Sequence, residues 1–205
     1  WTLDTDSTYY ATFTDDVQTV FDASNLTADG DYGLVTIAAS LVDCKATPNS
    51  RFVTGSTVYV HTYDNREPDS DLRVYQSNAT TLISGARYGT SGGICFLSNI
   101  AFEGGKDGSF YTDVTSTSVK TYVYAKDCTF KYASTDCFKF TGWIQSVSQN
   151  CVAAWGGDDG FNYHAGVGTP PCEVIEVNCI GRYNGLDTEG TNNGSNHVLL
   201  QGPAA

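Results

Sequence analysis

Asn99-Ile100-Ala101-Phe102, Asp127-Cys128-Thr129-Phe130, Asn150-Cys151-Val152-Ala153 and Asn178-Cys179-Ile180-Gly181 are four copies of one short pattern, and their spacing decides the fold. The copies start 28, 23 and 28 residues apart. A period in the low twenties, lengthened in places by about five residues, predicts one turn of a parallel β-helix whose loops vary in length. The second position of each copy is expected to point inward. Three of those positions are Cys128, Cys151 and Cys179, and cysteine is among the residue types most often fully buried as a small hydrophobe. An internal cysteine ladder is therefore expected. No His or basic residue adjoins these cysteines in sequence to lower a thiol pKa, so they are assigned to packing.

Nine residues beyond the start of three copies lies an acid, Asp136, Asp159 and Asp187; in the first copy Asp107 comes one residue earlier. An aromatic follows in Asp136-Cys137-Phe138, Asp159-Gly160-Phe161 and Asp107-Gly108-Ser109-Phe110, as if each strand after the turn buries its own ring. Phe138 and Phe161 are expected to stack on neighbouring coils. A strand spacing of about 4.8 Å then puts Asp136 and Asp159 on adjacent rungs, with Asp187 one rung further.

Outward from this repeat, residues 1–90 lack it and are read as a small β-rich cap or attachment domain, with the β-helix over 91–205 and continuing past it. Solenoids need caps because an open end exposes unpaired backbone groups and apolar side chains. Within the first part, Ser56-Thr57-Val58-Tyr59-Val60-His61 alternates as a strand with Val58 and Val60 on one face and Thr57, Tyr59 and His61 on the other. A turn-rich stretch, 64–71, leads to a returning strand, Leu72-Arg73-Val74-Tyr75, so a hairpin is expected. The run from Leu34 to Cys44 reads as a short helix, with a strand as the alternative for its β-branched start. Near the other end, Val198 to Gly202 reads as a further inward strand.

The fold class is thus all-β. The 205 residues suffice for one sizeable core or two small domains, and only 17% are charged, a balance usual for turn-rich β proteins. A formal net charge of −12 repels phosphate backbones and anionic headgroups, which excludes nucleic acid as a partner. No apolar run approaches the roughly 18 residues of a spanning helix, so membrane insertion is not expected. Trp1 is read as lying within a processed or longer chain, since the sequence contains no Met. Seven cysteines without a CxxC pair or a Cys/His cluster imply neither a disulfide framework nor a zinc site. The three histidines, His61, His164 and His197, are scattered, and Asp29-Gly30-Asp31 is a turn rather than a calcium loop, so no metal and no cofactor are assigned.

The stretch from Gly92 to Gln201 resembles the repeat domains of the pectin-lyase-like superfamily, especially the β-helices of phage tailspikes and bacterial surface polysaccharide enzymes. Asn150-Cys151 through Gly157-Asp158-Asp159-Gly160-Phe161-Asn162-Tyr163-His164 carries most of the likeness. The resemblance implies a right-handed β-helix; it is specific for fold more than activity, because this superfamily hosts hydrolases, lyases, epimerases and non-catalytic binders. A narrower likeness joins Ser134-Thr135-Asp136 and Gly157-Asp158-Asp159 to the Asn-Thr-Asp and Gly-Asp-Asp motifs of polygalacturonase-type glycosidases, one coil apart. The Gly-His-Gly and Arg-Ile-Lys motifs of that family are absent, so the likeness stops at the carboxylates.

Glycoside hydrolysis needs two carboxyl groups, roughly 5 Å apart for retention or about 6.5 to 9.5 Å for inversion. Adjacent rungs supply such distances, and like charges this close would raise one pKa, so a pair among Asp136, Asp158 and Asp159 are the candidate catalytic residues. The competing reading gives each laddered Asp to its turn, through bonds to nearby amides; Asp158 is an extra acid that the repeat does not require. Trp155, Tyr163, His164, Asp187 and Glu189 are candidate substrate-binding residues, the rings by stacking on a pyranose face. Trp143 lies near the same aspartates. Thirteen tyrosines exceed what a narrow core needs and suit an interface between subunits. The expected partner is a bacterial surface polysaccharide. The expected setting is extracellular or a virion surface, and the expected assembly a homo-oligomer, with a trimer among its forms. Whether the chain cleaves the glycan as a hydrolase or lyase, or is a structural or adhesive β-helix, stays open at this point.

Overall fold

A computed structural model describes residues 1–76, 92–114, 116–165, 168 and 170–186. The chain is all-β, with one six-residue helix among the described residues, and divides into two compact units, Trp1–Asn78 and Ala79–Ala205. The expected boundary near residue 90 falls in a stretch outside the described residues.

The first unit holds two sheets. One has the order β1 (Thr2–Thr5), β2 (Thr8–Thr12), β7 (Thr57–His61), β6 (Ser50–Thr54), β5 (Thr36–Ile37), and the other β4 (Tyr32–Leu34), β3 (Val17–Leu26), β8 (Leu72–Gln76). Their shared apolar cluster is Val17, Val20, Val35, Val58, Val60 and Leu72. β7 does form a hairpin, but its partner is the preceding β6, turned at Gly55 with φ +57, whereas the strand at 72–76 crosses to pair antiparallel with β3. His61 is buried rather than facing solvent, its ring spanning the Cys44 carbonyl at 3.2 Å and the Asn65 side chain at 2.7 Å. The 34–44 run is split: Thr36–Ile37 is a strand, and helix α1 (Leu41–Ala46) begins at Ser40, whose hydroxyl accepts the Asp43 amide. Asp29-Gly30-Asp31 is part of the turn between β3 and β4, closed by Thr27 N to Asp31 O at 2.8 Å.

The described residues of the second unit form three parallel sheets. They are β18 (Glu173–Val177), β15 (Ile144–Gln149), β12 (Thr121–Lys126), β9 (Gly93–Ser98); β10 (Ala101–Glu103), β13 (Thr129–Lys131), β16 (Val152–Ala154), β19 (Ile180–Arg182); and β11 (Phe110–Val114), β14 (Phe138–Gly142), β17 (Phe161–His164). The chain visits these three sheets in one fixed order, pass after pass, and each strand pairs in register with its counterpart one pass away. The four-copy pattern explains the corner. Asn99, Asp127, Asn150 and Asn178 all have φ between 53 and 55, the left-handed conformation that Asn and Asp tolerate best, so the chain bends there and the next residue enters the following strand.

Alternating residues of all three sheets fill one core, including Val123, Phe130, Phe138, Phe140 and Phe161. Cys128 and Cys151 are fully buried as expected and Cys179 is half-buried, but Ile100, in the first copy, is 42% exposed and does not join the ladder. Phe110, Phe138 and Phe161 occupy one register, so the one-residue offset of the first copy is absorbed in its loop. The rings meet with tilted or edge contacts, Phe138 and Phe161 at 5.9 Å and 79°, rather than stacking face to face. Edge-to-face geometry places a positive ring edge on a negative ring face, which is preferred over a direct sandwich.

Candidate functional site

The acids sit on the loops that lead from β13 to β14 and from β16 to β17. Asp136 and Asp159 are 1% and 6% exposed, Asp158 is half-buried, and carboxylate oxygens of the three lie within 4.8 Å of one another. The glycines before the second acid pair make this approach possible. A Cβ on Gly157 would collide with the Ser134 carbonyl of the neighbouring loop, and the Gly157 amide instead bonds Ala133 O at 3.0 Å while the Asp158 amide bonds Thr135 O at 3.0 Å.

Asp136 is held at both carboxylate oxygens. Its Oδ1 accepts the Asp159 amide at 3.2 Å and the Asn162 side-chain amide at 2.8 Å, and its Oδ2 lies 2.7 Å from the Lys139 ammonium. The carboxylate does serve a turn, as the alternative reading held, but the turn belongs to the next pass. Asn162 also donates to Asp159 Oδ2 at 2.7 Å, so one amide clamps both laddered acids. Lys139 and Asn162 extend a row that begins at Tyr111, each being the residue after a core phenylalanine and so pointing away from the core. Burial lowers the Lys139 pKa, but Asp136 outweighs it by charge and hydrogen bond and the net shift is upward. Three carboxylate oxygens at this spacing could hold a cation, and the Lys139 ammonium already supplies one positive charge there.

His164 stands two residues along the same outer face, half-buried, with its pKa lowered by burial and by the Lys139 charge against the pull of Asp136 and Asp159. A proton is disfavoured on this imidazole despite the acids beside it.

Among the predicted binding residues, Tyr163 is not on the surface. It is 3% exposed, faces the core in register with Phe140, and donates its hydroxyl to Glu176 at 2.6 Å. Strand alternation requires this, since Phe161 two residues earlier also points inward. Trp155 is 8% exposed and stacks on Tyr183, ring centroids 4.6 Å apart. Trp143 packs at the core margin under the Lys120 ammonium. Asp187 and Glu189 lie outside the described residues. Sequence reasoning missed Lys139, Asn162 and Tyr183. The first two each stand three residues after a laddered acid, a spacing that was present to be read.

A different surface is apolar. On the outer face of β9, β12, β15 and β18, Phe96, Tyr124, Val147 and Ile175 form one in-register row, with Phe96 and Tyr124 stacked at 5.0 Å and Phe96 74% exposed. A groove of about 360 Å³ runs beside them, bordered by Lys126 and Gln149.

No family model, curated protein or solved structure matches the chain. Among the described residues, no helix is long and apolar enough to cross a membrane.

Proposed function

We propose that the second unit is a right-handed parallel β-helix of the pectin-lyase-like type and that its acid loops bind and hydrolyse a surface polysaccharide. The observation that carries the reading is the convergence of Asp136, Asp158 and Asp159 within 4.8 Å from loops of successive passes. Hydrolysis requires one carboxyl group to protonate the glycosidic oxygen and another to activate water or attack the sugar. Asp136, with both oxygens committed to protein donors, acts as the anchor that positions Asp159. Asp158, the most exposed of the three, and Asp159 divide the acid and base roles. The expected substrate is a bacterial surface glycan, and the expected setting extracellular or on a virion.

The test is reducing-end release from a panel of bacterial surface polysaccharides by the native chain, Asp158→Asn and Asp159→Asn. Release by the native chain, lost in either variant with the fold intact, is the expected result. Absence of release and of glycan binding across the panel refutes the reading. It would favour a structural or adhesive subunit, which the outward row of exposed Phe96 and Ile175 with half-buried Tyr124 and Val147 supports by offering a face for a further copy of the chain.

A further inference from the structure

Cys128, Cys151 and Cys179 each follow a left-handed Asp or Asn and precede residues in mutual register, Thr129, Val152 and Ile180. Each thiol also makes the same local bond, to the carbonyl two residues earlier: Cys128 Sγ to Lys126 O at 3.2 Å, Cys151 Sγ to Gln149 O at 3.4 Å and Cys179 Sγ to Val177 O at 3.6 Å. The shared backbone setting puts the three residues in file, their Cα atoms one strand spacing of about 4.8 Å apart. That spacing falls inside the Cα separation of about 4.4 to 6.8 Å that a disulfide spans. The Cys179 sulfur leans further towards its neighbour, lying 3.4 Å from Ser148 O, a carbonyl of the strand that leads into Cys151.

Exposure then separates them. Cys128 and Cys151 are fully buried, whereas Cys179 is half-buried and open to a small reagent. We propose that Cys179 and Cys151 are a thiol–disulfide exchange pair, with Cys179 as the entry thiol and Cys151 as the resolving thiol, and that the oxidant is a low-molecular-weight disulfide such as oxidised glutathione.

The Cys179 thiolate, its proton released to water, attacks one sulfur of the small disulfide. Its S–S bond breaks, a mixed disulfide forms on Cys179 and one thiolate leaves. Cys151 then loses its proton and attacks the Cys179 sulfur, which joins Cys151 to Cys179 and expels the second small thiolate. Two protein thiols are oxidised and one small disulfide is reduced to two thiols. The product ties β16 to β19 through the residues that precede them.

Electrostatics agree with this order. The side-chain interaction between Cys151 and Cys179 holds Cys179 below the ordinary thiol range against the opposing effect of burial, and together with burial it holds Cys151 above that range. By contrast, burial pushes Cys137 and Cys172 up to about 12 and raises Cys44 and Cys95. The neighbour that activates Cys179 is another thiol one pass away, so adjacency in sequence gives no sign of it.

The test uses the full chain. Iodoacetamide labelling, quantified by peptide mass spectrometry, should modify Cys179 about tenfold faster than Cys95, the other half-buried thiol, as expected for a thiol with a lowered pKa. Treatment with oxidised glutathione should yield a Cys151–Cys179 cross-linked peptide that reductant removes. In Cys151→Ala the Cys179 advantage should fall and a mixed disulfide with glutathione should persist on Cys179; Cys128→Ala should leave the cross-link intact. Equal labelling of Cys179 and Cys95, or a cross-link between any other pair, overturns the proposal. Mapping of the native chain decides the matter even if a variant fails to fold.

Discussion

Replacing Asp136 by Asn tests whether the carboxylate cluster is assembled around one anchored acid. The substitution keeps shape and leaves an oxygen to accept the Asp159 and Asn162 amides, but it turns an amide NH₂ towards the Lys139 ammonium that now lies 2.7 Å from Oδ2. A charge-assisted hydrogen bond, worth about 1.5 to 3 kcal/mol net, is replaced by two opposed donors. The Lys139 side chain is 22% exposed, so its ammonium can swing towards water and recover part of the loss, which places the expected cost near 2 kcal/mol rather than the 3 to 5 of a fully buried pair. For a unit of this size that is a fall of about 6 °C in the transition of the second unit, followed by the fluorescence of Trp143 and Trp155. Lys139→Met leaves the buried Asp136 carboxylate without its counter-ion and should cost at least as much, and the double variant should lose well less than the sum of the two single losses. Asp136 raises the Lys139 pKa, so the stabilisation is present below the unfolded lysine pKa and is lost as pH rises through the folded one; the gap between native and Asp136→Asn should narrow there. A cost below about 0.5 kcal/mol, with strict additivity in the double variant, would refute the anchoring argument.

Ser146 sits fully buried with an unpartnered hydroxyl, in register between Val123 and Val174, so Ser146→Val should stabilise the second unit by about 1 kcal/mol or more in urea unfolding. Arg51 is 2% exposed and donates to the Val35 and Gln18 carbonyls, bonding β6 to the other sheet of its unit; Arg51→Ala strands both acceptors and should cost about 3 kcal/mol, read as a lowered midpoint in thermal unfolding. Burial raises the Asp22 pKa, but bonds from Arg66 and Ser24 outweigh it and the net shift is downward, so its contribution holds above the unfolded carboxyl value and is lost as pH falls through the folded one; an acid titration of the first unit should show this loss, and Arg66→Met should abolish most of it.

How much of this could be read in advance differs by residue. The Asn/Asp-x pattern was legible because a left-handed corner admits few residue types, and its recurrence gave both the strands and the inward cysteines. Phe138 and Phe161 followed from their place after each acid. Tyr163 was misplaced by its chemistry, since a phenol invites a surface role, while the alternation from Phe161 already sent it inward to Glu176. Ile100 fits the pattern yet is 42% exposed, although Leu97, Phe102 and Phe110 of the same pass are buried. The pairing of β8 with β3 was hidden for another reason. Both hairpin return and crossover satisfy the same alternation, and only the pairing of β7 with β6 and β2 removes the first.

A second left-handed position explains why the acids gather where they do. Five residues after each corner stand Gly104, Tyr132, Trp155 and Tyr183, all with positive φ. For glycine this conformation is free, but for a ring-bearing residue it costs about 1 to 2 kcal/mol. Tyr132 and Trp155 are nevertheless buried, their amides bond Ala154 O and Arg182 O of the next pass, and Trp155 stacks on Tyr183. The ladder bonds and ring contacts offset the strain, and the bend they hold turns the chain directly into Ser134-Thr135-Asp136 and Gly156-Gly157-Asp158-Asp159. Strained backbone kept in place by its surroundings is characteristic of sites with a job beyond packing. A fold that needed only a corner would be served by Gly at these positions, as it is at Gly104; at Tyr132 and Trp155 the buried rings and their ladder bonds hold the bend from which the Asp136 and Asp158-Asp159 loops leave the sheet.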